Sequence, residues 1–139
     1  MTGFVYGKMS QHAVSAVSLL AERHGQSIRL SSAQIAAGRN LPQPVVAKIL
    51  TTLSAAGLIT GMPGPSGGYA LAREPSEITL SDVVQHFEAS GESMPCPLGA
   101  DWCGTGPQCP IHDQIDALRR AADRLLEETN FGGFAKGGS

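Results

Sequence analysis

The stretch "LSSAQIAAGRNLPQPVVAKILTTLSAAGLITGMPGPSGGYALA", residues 30–72, decides the fold. Ser31 or Ser32 can cap a short helix that Gly38 would end, since serine oxygens accept from free helix N–H groups and glycine tolerates the closing conformation. After the turn, Pro42 or Pro44 suits the first turn of a second, longer helix. A short helix, a tight turn and a longer helix together predict a helix-turn-helix.

The longer helix has one apolar face and is followed by a hairpin. In "VVAKILTTLSAAG", the positions that would face inward are Val46, Ile49, Leu50 and Leu53, and Gly57 would end the helix. Two strand-like pieces, residues 58–60 and 68–72, flank a turn rich in glycine and proline. A hairpin directly after the second helix predicts a wing. The fold class is therefore mainly α with a small β-wing, a winged helix-turn-helix.

Three further helices are predicted around this unit. Residues 9–24 form an amphipathic helix whose core face carries Met9, Ala13, Val17 and Leu20. "ITLSDVVQHFE" forms a short helix capped by Ser81 or Thr79. A long C-terminal dimerisation helix carries an apolar seam made of Ile111, Ile115, Leu118, Ala122 and Leu125. Packing within one subunit is the alternative, but a domain this small gains core and two-fold symmetry by pairing with a second copy.

Charge is distributed unevenly along the 139 residues, although the net charge is only −2. Residues 1–73 carry six bases and one acid, a balance of +5, and the remainder carries four bases and eleven acids, a balance of −7. Chance clustering of solvated charges is the plain explanation, and a phosphate-facing N-terminal half is the functional one. The predicted DNA-binding residues are Arg39, Gln43, Lys48, Ser66, Gly67, Gly68 and Tyr69.

The class of protein is bounded by what the sequence lacks. It shows neither a secretory leader pattern nor an apolar run that could span a bilayer, so we expect a cytoplasmic protein with no membrane partner. An odd number of cysteines in a reducing compartment argues against a disulfide framework. Metal binding, redox sensing and ordinary burial remain as the possible roles of the three cysteines.

All three cysteines lie in "CPLGADWCGTGPQCPIH", residues 96–112. Six residues separate Cys96 from Cys103 and five separate Cys103 from Cys109, whereas zinc sites usually use paired C-x-x-C knuckles. Longer spacings with glycine and proline suit an iron–sulfur cluster, whose sulfides the backbone can approach. Three thiolates leave one iron position for another ligand. His112, one helical turn after Cys109, is the candidate, with a plain surface histidine as the alternative.

At this point the sequence resembles the winged-helix regulators of the iron–sulfur cluster regulator type, which include the iron–sulfur biogenesis regulator, nitric-oxide-sensing repressors and rhizobial-type iron regulators. The resemblance runs from about Tyr6 to Phe131 and rests on "LSAAGLI" leading into "GPSGGYALA", then "ITLSDVV", then the cysteines. It implies a homodimer that binds a palindromic operator in double-stranded DNA, controlled by a 2Fe-2S or 4Fe-4S iron–sulfur cluster. The implied metal ligands are Cys96, Cys103, Cys109 and His112.

The chain departs from that family's pattern in three places. Some relatives take a fourth ligand from an acidic residue near the start of the first helix of the other subunit, where this chain has Gln11, next to His12. The first cysteine spacing is one residue longer than the commonest pattern. The second helix has Pro44, Val45 and Val46 in place of an aromatic residue. Cluster type and operator sequence therefore stay open.

Together these patterns predict four regions in the chain and one main function. The regions are a DNA-binding domain (residues 1–89), a cysteine-rich cluster-binding loop (90–111), the dimerisation helix (112–130) and a flexible tail (131–139). The predicted function is a transcription repressor that senses nitric oxide, iron or redox state through the cluster. The alternative is a cluster-free winged-helix regulator with thiol-based sensing, which would need a low-pKa cysteine near cations. An enzyme is not expected, because Cys109 and His112 have no orienting group or oxyanion-hole motif.

Overall fold

The computed structural model describes residues 7–26, 28–64, 67–88 and 110–135. The helices are α1 (Lys8–Glu22), α2 (Ser32–Arg39), α3 (Gln43–Ala55), α4 (Leu80–Val84), α5 (His112–Glu128) and α6 (Gly132–Ala135). The antiparallel strands β1 (Ile59–Met62) and β2 (Gly68–Leu71) follow α3, and a 3-10 turn, Pro75–Glu77, leads into α4. A mostly helical chain with one small hairpin after its third helix confirms the predicted fold class.

Helix α1 runs through the centre of the core. Ala13 and Val17 are fully buried and Leu20 is nearly so, as the spacing of apolar residues predicted. The helix packs against α2, α3, α4 and α6. Because burying an aliphatic side chain contributes roughly 1.5–3 kcal/mol, this helix and its neighbours supply much of the fold's stability.

Helix α2 begins as predicted and ends later than predicted. Ser31 Oγ accepts from Gln34 N at 3.1 Å while Gln34 Oε1 accepts from Ser31 N at 2.8 Å, a reciprocal cap. The predicted stop at Gly38 is wrong, because Asn40 takes the left-handed conformation (φ 54°) two residues further on. A Cβ at Gly38 would lie 2.8 Å from Leu19 Cδ2. Gly38 is therefore a packing glycine that lets α2 approach α1.

Helix α3 agrees with its prediction at both ends and along its buried face. Pro42 is the N-cap and Pro44 lies in the first turn, where a missing N–H costs nothing. The four predicted inward residues, Val46, Ile49, Leu50 and Leu53, are all fully buried. Gly57, at φ 81°, ends the helix. The opposite face of α3 is left to solvent.

The hairpin after α3 forms the predicted wing, with strands shifted slightly along the chain. Ile59 pairs with Leu71, and Met62 pairs with Gly68. Leu30, just before α2, joins the hairpin edge, since its N–H and C=O exchange hydrogen bonds of 3.0 and 2.7 Å with Tyr69. The wing is thus attached to the helix-turn-helix by backbone bonds.

The segment after α5 corrects the predicted tail. Phe131, the first residue of the predicted tail, is fully buried. Its N–H lies 3.1 Å from the carbonyl oxygens of both Pro75 and Ile78. Helix α6 follows immediately. A large aromatic ring gains too much by burial to remain in solvent, so the chain is anchored here. Within the described residues, no helix combines the length and apolarity needed to cross a membrane.

Candidate nucleic-acid interface and cysteine segment

The solvent face of α3 is the first part of the candidate interface. Gln43, Ala47, Lys48 and Thr51 are exposed along successive turns of the helix. The Lys48 ammonium makes no hydrogen bond or ion pair with any described residue. An exposed helix face with a small residue at its centre fits the major groove of DNA, and a free ammonium there can pair with a phosphate.

The wing is the second part. Gly67 and Gly68 lie at its tip, beside Ser66, which falls outside the described residues. Gly68 has φ 128°, and a Cβ there would lie 2.8 Å from the Leu30 backbone, so a larger residue would disturb the Leu30–Tyr69 bridge. The Tyr69 ring packs over Gly61, where an added Cβ would lie 3.0 Å from Tyr69 Cε1. Tyr69 is therefore half-buried on the hairpin rather than fully presented to solvent.

Arg29, which the sequence analysis did not select, braces the wing. Its Nη1 donates to Thr60 O at 3.1 Å and lies 3.4 Å from Thr60 Oγ1 and 3.5 Å from Gly68 O. The side chain thus reaches both strands of the hairpin. Its position one residue before Leu30 offered no sequence signal, because the Leu30–Tyr69 bridge joins residues far apart in the chain.

Arg39 lies elsewhere, against α1. Its Nη2 donates to Glu22 Oε2 at 2.6 Å and to Ser18 Oγ at 3.1 Å, and its Nε lies 3.3 Å from Ser15 O. Its side chain is 25% exposed and that of Glu22 is 32% exposed. This guanidinium is occupied in joining α2 to α1, whereas Gln43 and Lys48 share the open face of α3.

Helix α5 presents two different apolar faces. Ala122, predicted in the seam, packs with Leu126 against Val84 of the same chain. Leu118 and Leu125 remain 48% and 39% exposed. Ile111, at the start of the same stripe, is also exposed. The helix is therefore attached to its own domain along one side and carries an open apolar stripe along another.

The three cysteines lie outside the described residues, and their predicted role remains a prediction. His112 is the first residue of α5 and is half-buried. Gln11 is exposed on α1, and His12 is half-buried beside it. Among the residues that the structure describes, no three His, Cys, Asp or Glu side chains come together as a metal site.

Glu88, the last described residue before the cysteines, is fixed to the start of α1. Its Oε2 accepts from Gly7 N at 2.8 Å and from Ser10 Oγ, which is fully buried. Helix α1 has no side-chain cap of its own, so this distant carboxylate serves as one. No local pattern could have revealed a cap that lies 81 residues along the chain.

Comparisons with known proteins bear on this geometry. The Rrf2 family model, described as an iron-dependent transcriptional regulator, matches residues 6–136. A Mycobacterium tuberculosis protein named as an HTH-type transcriptional regulator is 30% identical over 128 residues, covering 92% of this chain and 79% of its own. The regulator IscR of Vibrio atlanticus is 27% identical over 113 residues, covering 81% of this chain and 65% of its own. The solved structure of CymR, the global cysteine regulator of B. subtilis, superposes with a TM-score of 0.77 at 24% identity and 98% coverage of both chains.

Proposed function

The chain belongs to the Rrf2 family of transcriptional regulators, and from this premise we propose that it is a homodimeric repressor whose operator affinity is controlled by an iron–sulfur cluster. The observation that carries the DNA-binding part is the open face of α3 beside a braced wing. Both elements are attached to one core through buried contacts and backbone bonds. A rigid pair of this kind can enter a groove and touch the flanking backbone at once.

Within that surface, Gln43 and Lys48 would contact the duplex from α3, and Ser66, Gly67, Gly68 and Tyr69 would contact it from the wing. Gln43 is a suitable reader of base edges because its amide both donates and accepts hydrogen bonds. Lys48 would pair with a phosphate. Arg39 is left out of the interface, because its Nε and Nη2 already donate to residues of α1.

The stripe of Ile111, Leu118 and Leu125 supports a dimer. Leucines 48% and 39% exposed on one helix leave apolar area in water that a second copy of the same helix would cover. Two-fold pairing would place two α3 helices about one turn of DNA apart, or roughly 10 base pairs. Such a dimer would bind a palindromic operator.

The donor set supports a cluster in the segment between Glu88 and α5. Cys96, Cys103 and Cys109 would supply thiolates, and His112 at the start of α5 would supply the fourth ligand. When bound, the cluster would supply a redox-active and chemically labile centre. It would react with oxidants or nitric oxide, and it would be lost when iron is scarce. Gln11 and His12 of a second subunit are the other source of a fourth ligand. Gln11 is exposed on α1 and His12 is half-buried beside it.

The decisive experiment is anaerobic purification of the full chain, with iron and sulfide analysis beside visible absorption. A brown protein with charge-transfer bands, lost in Cys103→Ser, is expected. Operator fragments would first be selected from a random duplex library, and affinity would then be compared with and without the cluster. A colourless protein that binds DNA fully and forms a disulfide on oxidation would instead support the cluster-free thiol sensor.

A further inference from the structure

A cleft of about 310 Å³ opens between the C-terminal end of α1 and the wing. Its volume lies at the lower end of the range for small-molecule sites. None of its described lining residues belongs to α2 or α3, so it is separate from the proposed base-reading surface. The cleft has an apolar part and a cationic part, and each has its own evidence.

The apolar part combines one nearly buried side chain with two exposed ones. Leu20 forms part of the wall from α1, and Ile28 and Met62 contribute from either side. Ile28 is 43% exposed and Met62 is 55% exposed. Two large apolar side chains left open around one concavity favour a ligand with an apolar body.

The cationic part holds two guanidinium groups, and neither forms an ion pair with a carboxylate among the described residues. The Arg23 guanidinium makes no hydrogen bond or ion pair with a described residue. Within the described part of the chain, Arg29 donates only to neutral oxygens, those of Thr60 and Gly68. The nearby carboxylate of Glu74 lies 3.5 Å from His24 Nε2 and pairs with that side chain. Both guanidinium charges thus remain available to an anion.

We propose that this cleft binds a small organic carboxylate with an apolar body. Arg23 and Arg29 would hold the carboxylate, because a guanidinium presents paired donors that match its two oxygens. Leu20, Ile28 and Met62 would cover the apolar body. A bare phosphodiester of DNA has no such body and would leave Ile28 and Met62 in water. Because Arg29 also braces the wing, occupation of the cleft would be sensed at Thr60 and Gly68.

The test titrates 3-phenylpropionate into the isotopically labelled full chain and follows amide chemical shifts. Saturable shifts are expected in α1 near Arg23 and in both wing strands. The uncharged 3-phenylpropanamide and the small anion acetate should each bind at least several-fold more weakly. The titration needs neither DNA nor a cluster, so its outcome is independent of the proposed function.

Two variants locate the site. Arg23→Gln should weaken 3-phenylpropionate about three- to fivefold, the range for one partly exposed ion pair, while Arg73→Gln, an exposed arginine outside the lining, should not. Ala70→Leu should fill the cleft and weaken binding without a change of charge. Equal binding of the amide or of acetate, or parental affinity in both Arg23→Gln and Ala70→Leu, would overturn the proposal. So would a lower salt slope for DNA binding in Arg23→Gln, which would assign the cleft to phosphates.

Discussion

Replacing Arg39 with Gln separates a structural role for this side chain from a DNA-binding one. The guanidinium bonds to Glu22 at 2.6 Å and to Ser18 at 3.1 Å, with both charged side chains about a quarter to a third exposed. A hydrogen bond to a charged group contributes about 1.5–3 kcal/mol, and partial exposure favours the lower end. We therefore expect a loss of about 2 kcal/mol in the free energy of unfolding, or roughly 7 °C in Tm for a domain of this size.

Urea denaturation at a fixed protein concentration measures that loss, because dimer stability depends on concentration. Glu22→Gln and the double variant complete a cycle whose coupling energy should be about 1 kcal/mol or more. The salt dependence of DNA binding should keep its slope in Arg39→Gln. Parental stability combined with a slope reduced by about 0.9 would refute this reasoning and make Arg39 a phosphate ligand.

Four further outcomes are expected. Lys48→Glu should weaken DNA binding and lower the salt slope by about one, measured by titration at several salt concentrations. Leu118→Asp should give monomers by sedimentation, because a charge in the dimer seam would be unpaired; a persistent dimer would assign the pairing to another surface. Phe131→Ala should cost about 3–5 kcal/mol of unfolding free energy, while the exposed Phe134→Ala costs little, so equal losses would contradict anchoring by Phe131. His112→Ala should keep the fold and the dimer but change the cluster's spectrum or lifetime, and an unchanged cluster would move the fourth ligand elsewhere.

The sequence predicted the structure correctly where the pattern of residues was local and repeated. The inward residues of α3 recur at helical spacing, and Gly57 and Pro42 mark its ends, so both the helix and its buried face were predicted correctly. The hairpin followed from a turn rich in glycine and proline between apolar pieces. A wing directly after α3 then fixed the fold class.

Local sequence patterns could not predict contacts between distant parts of the chain. Gly38 was interpreted as a helix stop, because glycine serves both for caps and for close packing and only the position of Leu19 distinguishes the two. Phe131 falls at the start of the predicted tail, "FGGFAKGGS", whereas its burial depends on a space beside Pro75 and Ile78. Arg39 is a predicted DNA contact because it is a base at the turn, and its bond to Glu22, 17 residues earlier, leaves no local pattern in the sequence.

The bonds from Glu88 to α1 have a consequence for the chain entropy of the cysteine segment. Glu88 is held to Gly7 and Ser10, and α4 is held to α5 through Val84, so residues 89–109 begin and end on one folded body. Joining the ends of a flexible loop costs entropy that grows only slowly with its length, and folding of the domain has already met that cost. Any reaction that links the three thiols therefore starts with both flanking ends, Glu88 and α5, already held by one folded domain.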